Sequence, residues 1–226
     1  MFELTQGVMI VFEGLDGSGK TTQVRALRDR LAAVFPVTVT REPTSGPWGQ
    51  RIRQLAVEGR EEVTASEENE LFIRDRKEDL EQTILPALLK RHIVLVDRYF
   101  YSNMAYQGAR GLDPQQIKTQ NLQFARVPEL VLILDVSPVT GIERITHGRG
   151  ETTNAFETAA GLTRVAEIYH NMTDAHIVHI EGNCGLSHVR AAIWREVTAL
   201  LERFIPRVAL SAFQQWANQH ECSPQS

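Results

Sequence analysis

The chain has 226 residues, enough for one large domain or two small ones, with 24 Lys and Arg residues against 28 Asp and Glu residues. The net charge of −4 argues against a protein that coats nucleic acid, which would carry a basic excess, although it allows a small basic pocket. The two cysteines, Cys184 and Cys222, lie far apart, which excludes a disulfide framework and is typical of a reducing compartment.

No stretch of the sequence approaches the roughly 20 consecutive apolar residues of a membrane span. Residues 1–6 contain Glu3 and no basic residue, and the apolar run that follows them is too short for a signal-peptide core. We therefore expect a cytoplasmic protein that binds neither membranes nor nucleic acid.

Short apolar runs alternate with helical patterns along the chain. Apolar runs without polar alternation are typical of parallel strands covered on both faces, and the alternation with helices requires right-handed crossovers. The sequence therefore predicts an α/β fold, with a parallel sheet of about five strands and helices on both faces. The predicted strands are residues 8–12, 37–40, 93–96, 130–134 and 177–180.

The helical predictions come from apolar spacing and from capping residues. A charged stretch over residues 66–89 and an apolar-periodic stretch over 186–203 predict helices, and proline after an N-cap residue at Asp113 and Ser137 predicts two more starts. Residues 206–226 are typical of either an additional helix or a frayed end. We expect one domain over residues 1–205, followed by a C-terminal extension.

A phosphate-binding loop follows the first predicted strand and opens the first helix. The sequence GLDGSGKT from Gly14 to Thr21 matches the pattern G-x-x-x-x-G-K-[ST]. Its glycines let backbone N–H groups converge on phosphate oxygens, Lys20 supplies a positive charge, and the Thr21 hydroxyl can ligate Mg²⁺. The loop residues predicted to bind ATP are Gly14, Asp16, Gly17, Ser18, Gly19, Lys20, Thr21 and Thr22.

Charged residues also follow the second and third predicted strands. Asp97 comes at the carboxyl end of its strand, where it would face the ligand crevice and hold Mg²⁺ with Thr21; the alternative is an aspartate that caps the next turn. Arg41 and Arg98 follow the two strands directly. An enzyme that joins two polyanions needs such cations in one crevice, although a strand-end arginine on the surface would look the same.

Three segments together resemble the thymidylate kinase family. They are FEGLDGSGKTT over residues 12–22, TREP over 40–43, and DRY over 97–99 with SNMAYQG over 102–108. The resemblance covers about residues 8–203, and the last segment is its most specific part. It implies a P-loop kinase fold, transfer of the ATP γ-phosphoryl group to dTMP with Mg²⁺ as the cofactor, and a homodimer.

The resemblance also implies where the phosphate and the sugar of dTMP bind. The arginines that match Arg41 and Arg98 hold or position the acceptor phosphate. Asp16 resembles the family carboxylate near the sugar and the metal ion. Tyr106 resembles the tyrosine whose ring disfavours a ribose 2′-hydroxyl; a residue that only packs is the alternative.

For the base, the resemblance makes Phe72 the ring that stacks on thymine and Arg76 a donor to a base carbonyl. From the residues alone, a core phenylalanine and a solvated arginine would be the ordinary interpretation. Pro43 would lie near the 5-methyl group. Asn103 and Gln107 can hydrogen-bond a pyrimidine edge, and a site that makes such bonds discriminates strongly between bases.

Residues 141–157 lie where family members carry an arginine-bearing lid that closes over the phosphates and excludes water. One branch of the family has an arginine in the P-loop, where this chain has Gly17. We therefore expect Arg149 to be the lid's catalytic arginine. Arg144 is predicted to pack on adenine, with an exposed helix arginine as the alternative. The predicted catalytic residues are Lys20, Arg98 and Arg149.

The lid departs from the family pattern in one respect. Bacterial lids often continue with an Asp-Arg pair, and this chain has TTN over residues 152–154. Two alternatives therefore stay open, a kinase with a broader dNMP or dUMP preference and a catalytically silent nucleotide-binding protein. The intact Lys20, Thr21 and Asp97 count against the second.

Overall fold

A five-stranded parallel sheet forms the centre of the fold. In the sheet, the strands lie in the order β2-β3-β1-β4-β5, and all four neighbouring pairs are parallel. This confirms the predicted α/β fold. The strands are β1 (Val8–Gly14), β2 (Val37–Arg41), β3 (Ile93–Asp97), β4 (Leu130–Asp135) and β5 (Ile177–Glu181).

The computed structural model describes residues 1–59, 63–149 and 159–221, without the side chains of residues 147–149 and 159. Within these ranges, ten α-helices surround the sheet. A π-helical turn, Leu80–Ile84, joins α3 to α4. The helices are α1 (Lys20–Leu31), α2 (Pro47–Glu58), α3 (Ala65–Asp79), α4 (Leu85–Leu89), α5 (Phe100–Ala109), α6 (Pro114–Leu122), α7 (Pro138–Arg149), α8 (Ala159–His170), α9 (Leu186–Glu202) and α10 (Arg207–Gln219).

Hydrophobic cores lie on both faces of the sheet, as predicted. Val8, Ile10 and Phe12 of β1 point into the core that contains residues of α1, α9 and α10. Met9 and Val11 point into the opposite core, with residues of α5, α6 and α8. Successive side chains of a strand point to opposite faces, so a strand covered on both faces must be apolar throughout.

The strand order produces a crevice at the carboxyl ends of the strands. β1 and β3 are neighbours, with Phe12 beside Asp97, but α1 leaves β1 toward one face of the sheet while α5 leaves β3 toward the other. A crevice opens at the carboxyl ends of strands where the helices diverge in this way. The P-loop and the Asp97-Arg98 pair therefore meet at one place.

Two helical features differ from the sequence expectations. The helix predicted over residues 66–89 contains the π-helical turn, which ends two residues before Pro86; proline lacks the N–H that an α-helix would use there. The sequence patterns do not predict α2, α5 or α8, although Pro47 stands in the first turn of α2. No helix in the described ranges is long and apolar enough to cross a bilayer.

The C-terminal segment forms a helix, α10, which is one of the two structures that the sequence analysis left open for it. Its Phe213 is fully buried and lies in edge contact with Phe2 and Phe35. The indole N–H of Trp194 in α9 donates to the backbone oxygen of Ala217 at 3.1 Å. The helix therefore packs on the core that α1 and α9 share. The division of the chain at residue 205 stays a prediction.

We expect Phe213→Ala to lower the free energy of unfolding by about 3–5 kcal/mol, because the change leaves a cavity among packed aromatic rings. Val208→Ala is the matched control, since Val208 is 98% exposed on the same helix. Denaturant unfolding of both variants checks the prediction. Equal stability of the two variants would show that α10 contributes little to the core.

Candidate active site

The P-loop bends sharply between β1 and α1. Gly14, Gly17 and Gly19 have φ angles of 132°, 77° and 94°, which side chains other than glycine rarely adopt. A Cβ atom on Gly17 would also lie 2.3 Å from the backbone oxygen of Gly141, because α7 packs directly on the loop. This contact explains why the loop carries no side chain at Gly17.

Lys20 lies folded into the P-loop. Its ammonium donates to the backbone oxygens of Gly14 at 2.9 Å and Leu15 at 2.7 Å, and to the Ser18 hydroxyl at 3.4 Å. Burial lowers the pKa of Lys20 to about 7, and the charge of Arg98 adds to this effect. A phosphate group beside the ammonium would reverse the shift by stabilising the charged form.

Thr21 and Asp97 form the candidate metal site. The Thr21 hydroxyl donates to Oδ2 of Asp97 at 2.6 Å, while Oδ1 of Asp97 is buried and has no hydrogen-bond partner among the described residues. Hydroxyl and carboxylate oxygens are ligands that Mg²⁺ prefers, and Mg²⁺ commonly completes its octahedron with water and substrate phosphates. The donor set and the orphaned oxygen therefore fit Mg²⁺. Within the described residues, no group of three or more His, Cys, Asp or Glu side chains is arranged so that it could hold a metal ion.

Arg98 joins β3 to the P-loop. Its Nη2 donates to Oδ1 of Asp16 at 2.6 Å, and its Nη1 donates to the Ser102 hydroxyl at 3.0 Å. The Tyr106 hydroxyl donates to Oδ2 of Asp16 at 2.9 Å, and the guanidinium carbon lies 5.3 Å from the Tyr106 ring centre. Burial alone would raise the pKa of Asp16, but the charges of Arg98 and Lys20 outweigh it and hold this pKa well below its usual value.

Two clefts meet at this ion pair. The first, the phosphate cleft, lies over the P-loop and includes Lys20, Thr21, Asp97 and Arg144. The second, the acceptor cleft, extends from the ion pair toward α2, α3 and α5. Three charged residues line both clefts, namely Asp16, Arg41 and Arg98.

Most residues predicted for the dTMP site line the acceptor cleft. Residues of α2 also line it, and they were not predicted because the sequence patterns do not indicate that helix. Pro47, at the start of α2, was the available signal. The predicted residues in the lining are Asp16, Arg41, Pro43, Phe72, Arg98, Asn103, Tyr106 and Gln107, and the missed ones are Ile52, Arg53 and Ala56 of α2 and Ser102 of α5.

Arg76 lies behind the acceptor cleft and is 1% exposed. Its guanidinium donates to both carboxylate oxygens of Glu42, at 3.1 and 2.5 Å, to Asn121 at 2.7 Å and to Oδ1 of Asn103 at 2.6 Å. Arg76 is thus not solvated, and it reaches the cleft through Asn103. These bonds account for four of the five guanidinium N–H groups, and Arg76 does not line the cleft, so a direct bond to a base carbonyl would require a local rearrangement.

The lid residues are only partly described. Residues 141–149 belong to α7, and Nη2 of Arg144 donates to the backbone oxygen of Gly182 at 3.0 Å, beside the phosphate cleft. Arg149 is the last residue of α7, but its side chain lies outside the described residues, as do residues 150–158.

A P-loop, a candidate Mg²⁺ site and a second cleft that joins the first at two arginines define a P-loop kinase, an enzyme class that transfers phosphoryl groups between two bound substrates. A family model described as thymidylate kinase matches residues 12–193. The chain belongs to the thymidylate kinase family.

Individual relatives match the chain over most of its length. The thymidylate kinase of Desulfotalea psychrophila is 43% identical over 197 residues, which cover 87% of this chain and 96% of that protein. The thymidylate kinase of Akkermansia muciniphila is 42% identical, covering 83% and 90%. That of Xanthomonas euvesicatoria pv. vesicatoria is 43% identical, covering 87% and 86%.

The lowered pKa of Lys20 predicts proton uptake when MgATP binds. With a pKa of about 7 in the nucleotide-free protein, the ammonium is largely deprotonated at pH 8.5, and the triphosphate should restore its charge. We expect uptake approaching one proton at pH 8.5 and much less at pH 6, measured by calorimetry in buffers of different ionisation enthalpy.

Lys20→Arg is the matched control for proton uptake, because a guanidinium stays charged at both pH values. MgATP binding to this variant should be accompanied by no proton uptake at pH 8.5. Absence of uptake by the unmodified chain at pH 8.5 would contradict the lowered pKa.

Proposed function

We propose that this chain transfers the γ-phosphoryl group of ATP to dTMP, giving dTDP and ADP. The observation that carries the proposal is the junction of the two clefts at Asp16, Arg41 and Arg98. A triphosphate in the first cleft and a monophosphate in the second would bring the reacting groups together. Membership of the thymidylate kinase family supports dTMP as the acceptor.

The reaction requires positioning and charge neutralisation more than proton transfer. An oxygen of the dTMP phosphate attacks the γ-phosphorus, and the bond from this phosphorus to the β–γ bridging oxygen breaks, so that ADP leaves. The attacking oxygen is already ionised near neutral pH, so no strong general base is required. Catalysis then depends on cations held where charge redistributes.

On the donor side, Lys20 neutralises the β- and γ-phosphate oxygens while the P-loop N–H groups orient them. Thr21 and Asp97 would hold Mg²⁺, which when bound neutralises further phosphate charge. Arg149, at the end of α7, is proposed to add a catalytic charge, and Arg144 to pack on adenine. The packing of Gly141 on Gly17 supports an arginine from α7 over one in the loop. The other proposed ATP-binding residues are Gly14, Asp16, Gly17, Ser18, Gly19 and Thr22.

On the acceptor side, Arg98 and Arg41 align the monophosphate. Asp16 and Ser102 already orient Arg98. Substrate binding therefore avoids the entropy cost of ordering this side chain. Asp16 and Tyr106 lie beside the proposed sugar position. A carboxylate there can accept a hydrogen bond from a sugar hydroxyl.

The base would occupy the end of the acceptor cleft away from the ion pair. Phe72 provides a ring for stacking, Pro43 lies near the proposed 5-methyl position, and Asn103 and Gln107 provide amides for the pyrimidine edge. Nδ2 of Asn103 donates to Oε1 of Gln107 at 3.2 Å, and Arg76 donates to Oδ1 of Asn103. Arg76 is proposed to donate to a base carbonyl, which would require a local rearrangement because Arg76 does not line the cleft.

Two further proposals rest on the family resemblance and on the composition, namely a homodimer and a cytoplasmic location. The alternatives that the sequence leaves open are a kinase of broader dNMP or dUMP specificity and a silent nucleotide-binding protein. Family membership favours neither of them.

A panel of acceptors with ATP and Mg²⁺ tests the proposed function. We expect kcat/KM to be highest for dTMP among dTMP, dUMP, dCMP and dGMP, measured by ADP formation and by identifying the nucleoside diphosphate. Lys20→Ala should lower kcat at least about 100-fold, because it removes a charge from the transferring group.

Three results would contradict the proposed function. Turnover of dGMP alone would reject thymine as the base. ATP binding with no acceptor phosphorylated would favour the silent protein. Undiminished dTDP formation by Lys20→Ala would exclude catalysis in the P-loop.

A further inference from the structure

A buried carboxylate that the proposed mechanism does not use lies next to the P-loop. Glu13 ends the apolar part of β1, directly before Gly14, and is 0% exposed. Buried acidic side chains are rare in proteins and are normally paired or saturated with hydrogen bonds. The donors that contact Glu13 therefore indicate what it does.

Four donors saturate the carboxylate of Glu13. The backbone N–H groups of Tyr99 and Ser102 donate to Oε1 at 2.7 and 3.2 Å. The hydroxyls of Ser102 and Tyr169 donate to Oε2 at 2.6 and 2.9 Å. The two backbone N–H groups can only donate, so they favour an unprotonated Oε1, although burial raises the pKa of the Glu13 carboxyl.

The two backbone contacts cap α5 from another element. Tyr99 is the N-cap residue of α5, and its side chain makes no capping hydrogen bond within the described part of the chain. Tyrosine is not among the residue types that cap helices. Glu13 bonds the N–H groups of the N-cap and N3 positions, so β1 holds the start of the helix that carries Asn103, Tyr106 and Gln107.

The Ser102 hydroxyl extends the contact to Arg98. It donates to Glu13 at 2.6 Å and accepts from Nη1 of Arg98 at 3.0 Å. Because its single proton is given to Glu13, its oxygen lone pairs remain available to the guanidinium. Burial would lower the pKa of Arg98, but the charge of Asp16 and, after it, that of Glu13 raise this pKa well above its usual value.

We propose that Glu13 is a positioning residue that orients Arg98 for the acceptor phosphate through Ser102 and through the N-terminus of α5. The proposal rests on the proposed function, in which Arg98 holds this phosphate. Glu13 contacts no substrate in this arrangement. Its effect should therefore appear in the binding of dTMP and in the rate, and much less in the binding of ATP.

Glu13→Gln tests the proposal, because it keeps the side-chain volume and replaces one acceptor oxygen with an N–H group that faces a donor. We expect KM for dTMP to rise about tenfold and kcat to fall, because the new N–H group opposes a donor and disturbs the hydrogen bonds that orient Arg98. KM for ATP should stay within twofold of its original value. A loss of thermal stability alone would not produce this split.

Ser102→Ala and Tyr169→Phe form a matched pair, since each removes one hydroxyl from Oε2 of Glu13 and each breaks the 3.0 Å contact between the two hydroxyls. Only Ser102 contacts Arg98, so Ser102→Ala should raise KM for dTMP while Tyr169→Phe leaves it within twofold. The double variant of Glu13→Gln and Ser102→Ala should be no worse than the poorer single variant, because both changes break one chain of contacts. If Glu13→Gln does not fold, Ser102→Ala still tests the proposal, because it breaks the same chain of contacts to Arg98.

The outcome that overturns the proposal is a fall in melting temperature with KM for dTMP within twofold in both Glu13→Gln and Ser102→Ala. Additive effects in the double variant would also reject it, since they would assign Ser102 a separate contact with substrate. Failure of the proposed function is distinguishable, because the unmodified chain would then show no turnover of dTMP.

Discussion

The ion pair between Asp16 and Arg98 is the contact on which the site depends. It joins the P-loop after β1 to the residue after β3, and it stands where the two clefts meet. The backbone N–H of Arg98 donates to the oxygen of Phe12 at 3.0 Å, and Arg98 adopts a φ of 77°, which turns the chain back toward the loop. A left-handed conformation at a non-glycine residue costs energy and persists where surrounding contacts enforce it.

The site holds its cationic side chains in position before any substrate binds. Arg98 is paired with Asp16, Lys20 is held by loop oxygens, and Nε of Arg41 lies 4.0 Å from Asp97. These contacts orient the positive groups without leaving them unpaired. Substrate phosphates would bring negative charge to groups that are already in position, and such preorganisation reduces the cost of binding. The negative net charge of the chain is therefore compatible with a locally cationic crevice.

The strands and the P-loop could be predicted from sequence because their signals are local. An unbroken apolar run such as residues 8–12 requires cover on both faces, and the glycine pattern with Lys20 requires a phosphate loop. The carboxyl-end position of Asp97 and Arg98 followed from the same strand pattern, because parallel strands bring these ends to one edge. The family resemblance added most of the acceptor-site residues.

The acidic partners of the site could not be predicted, because their contacts join distant parts of the chain. Glu13 contacts Ser102 and Tyr169 across 89 and 156 residues, and Glu42 pairs with Arg76 across 34. Patterns of polarity mark such glutamates only as charged residues. For the same reason the sequence suggested a solvated Arg76 as the ordinary alternative, whereas the structure buries it against Glu42.

Binding of dTMP and of thymidine to the Arg98→Met variant tests the central claim most directly. The substitution keeps much of the apolar stem and removes the guanidinium that joins the two clefts. The account predicts that the dTMP affinity, measured by calorimetry without ATP, falls about 10- to 100-fold while the thymidine affinity stays within twofold. An equal loss for both ligands, or none for dTMP, would contradict it.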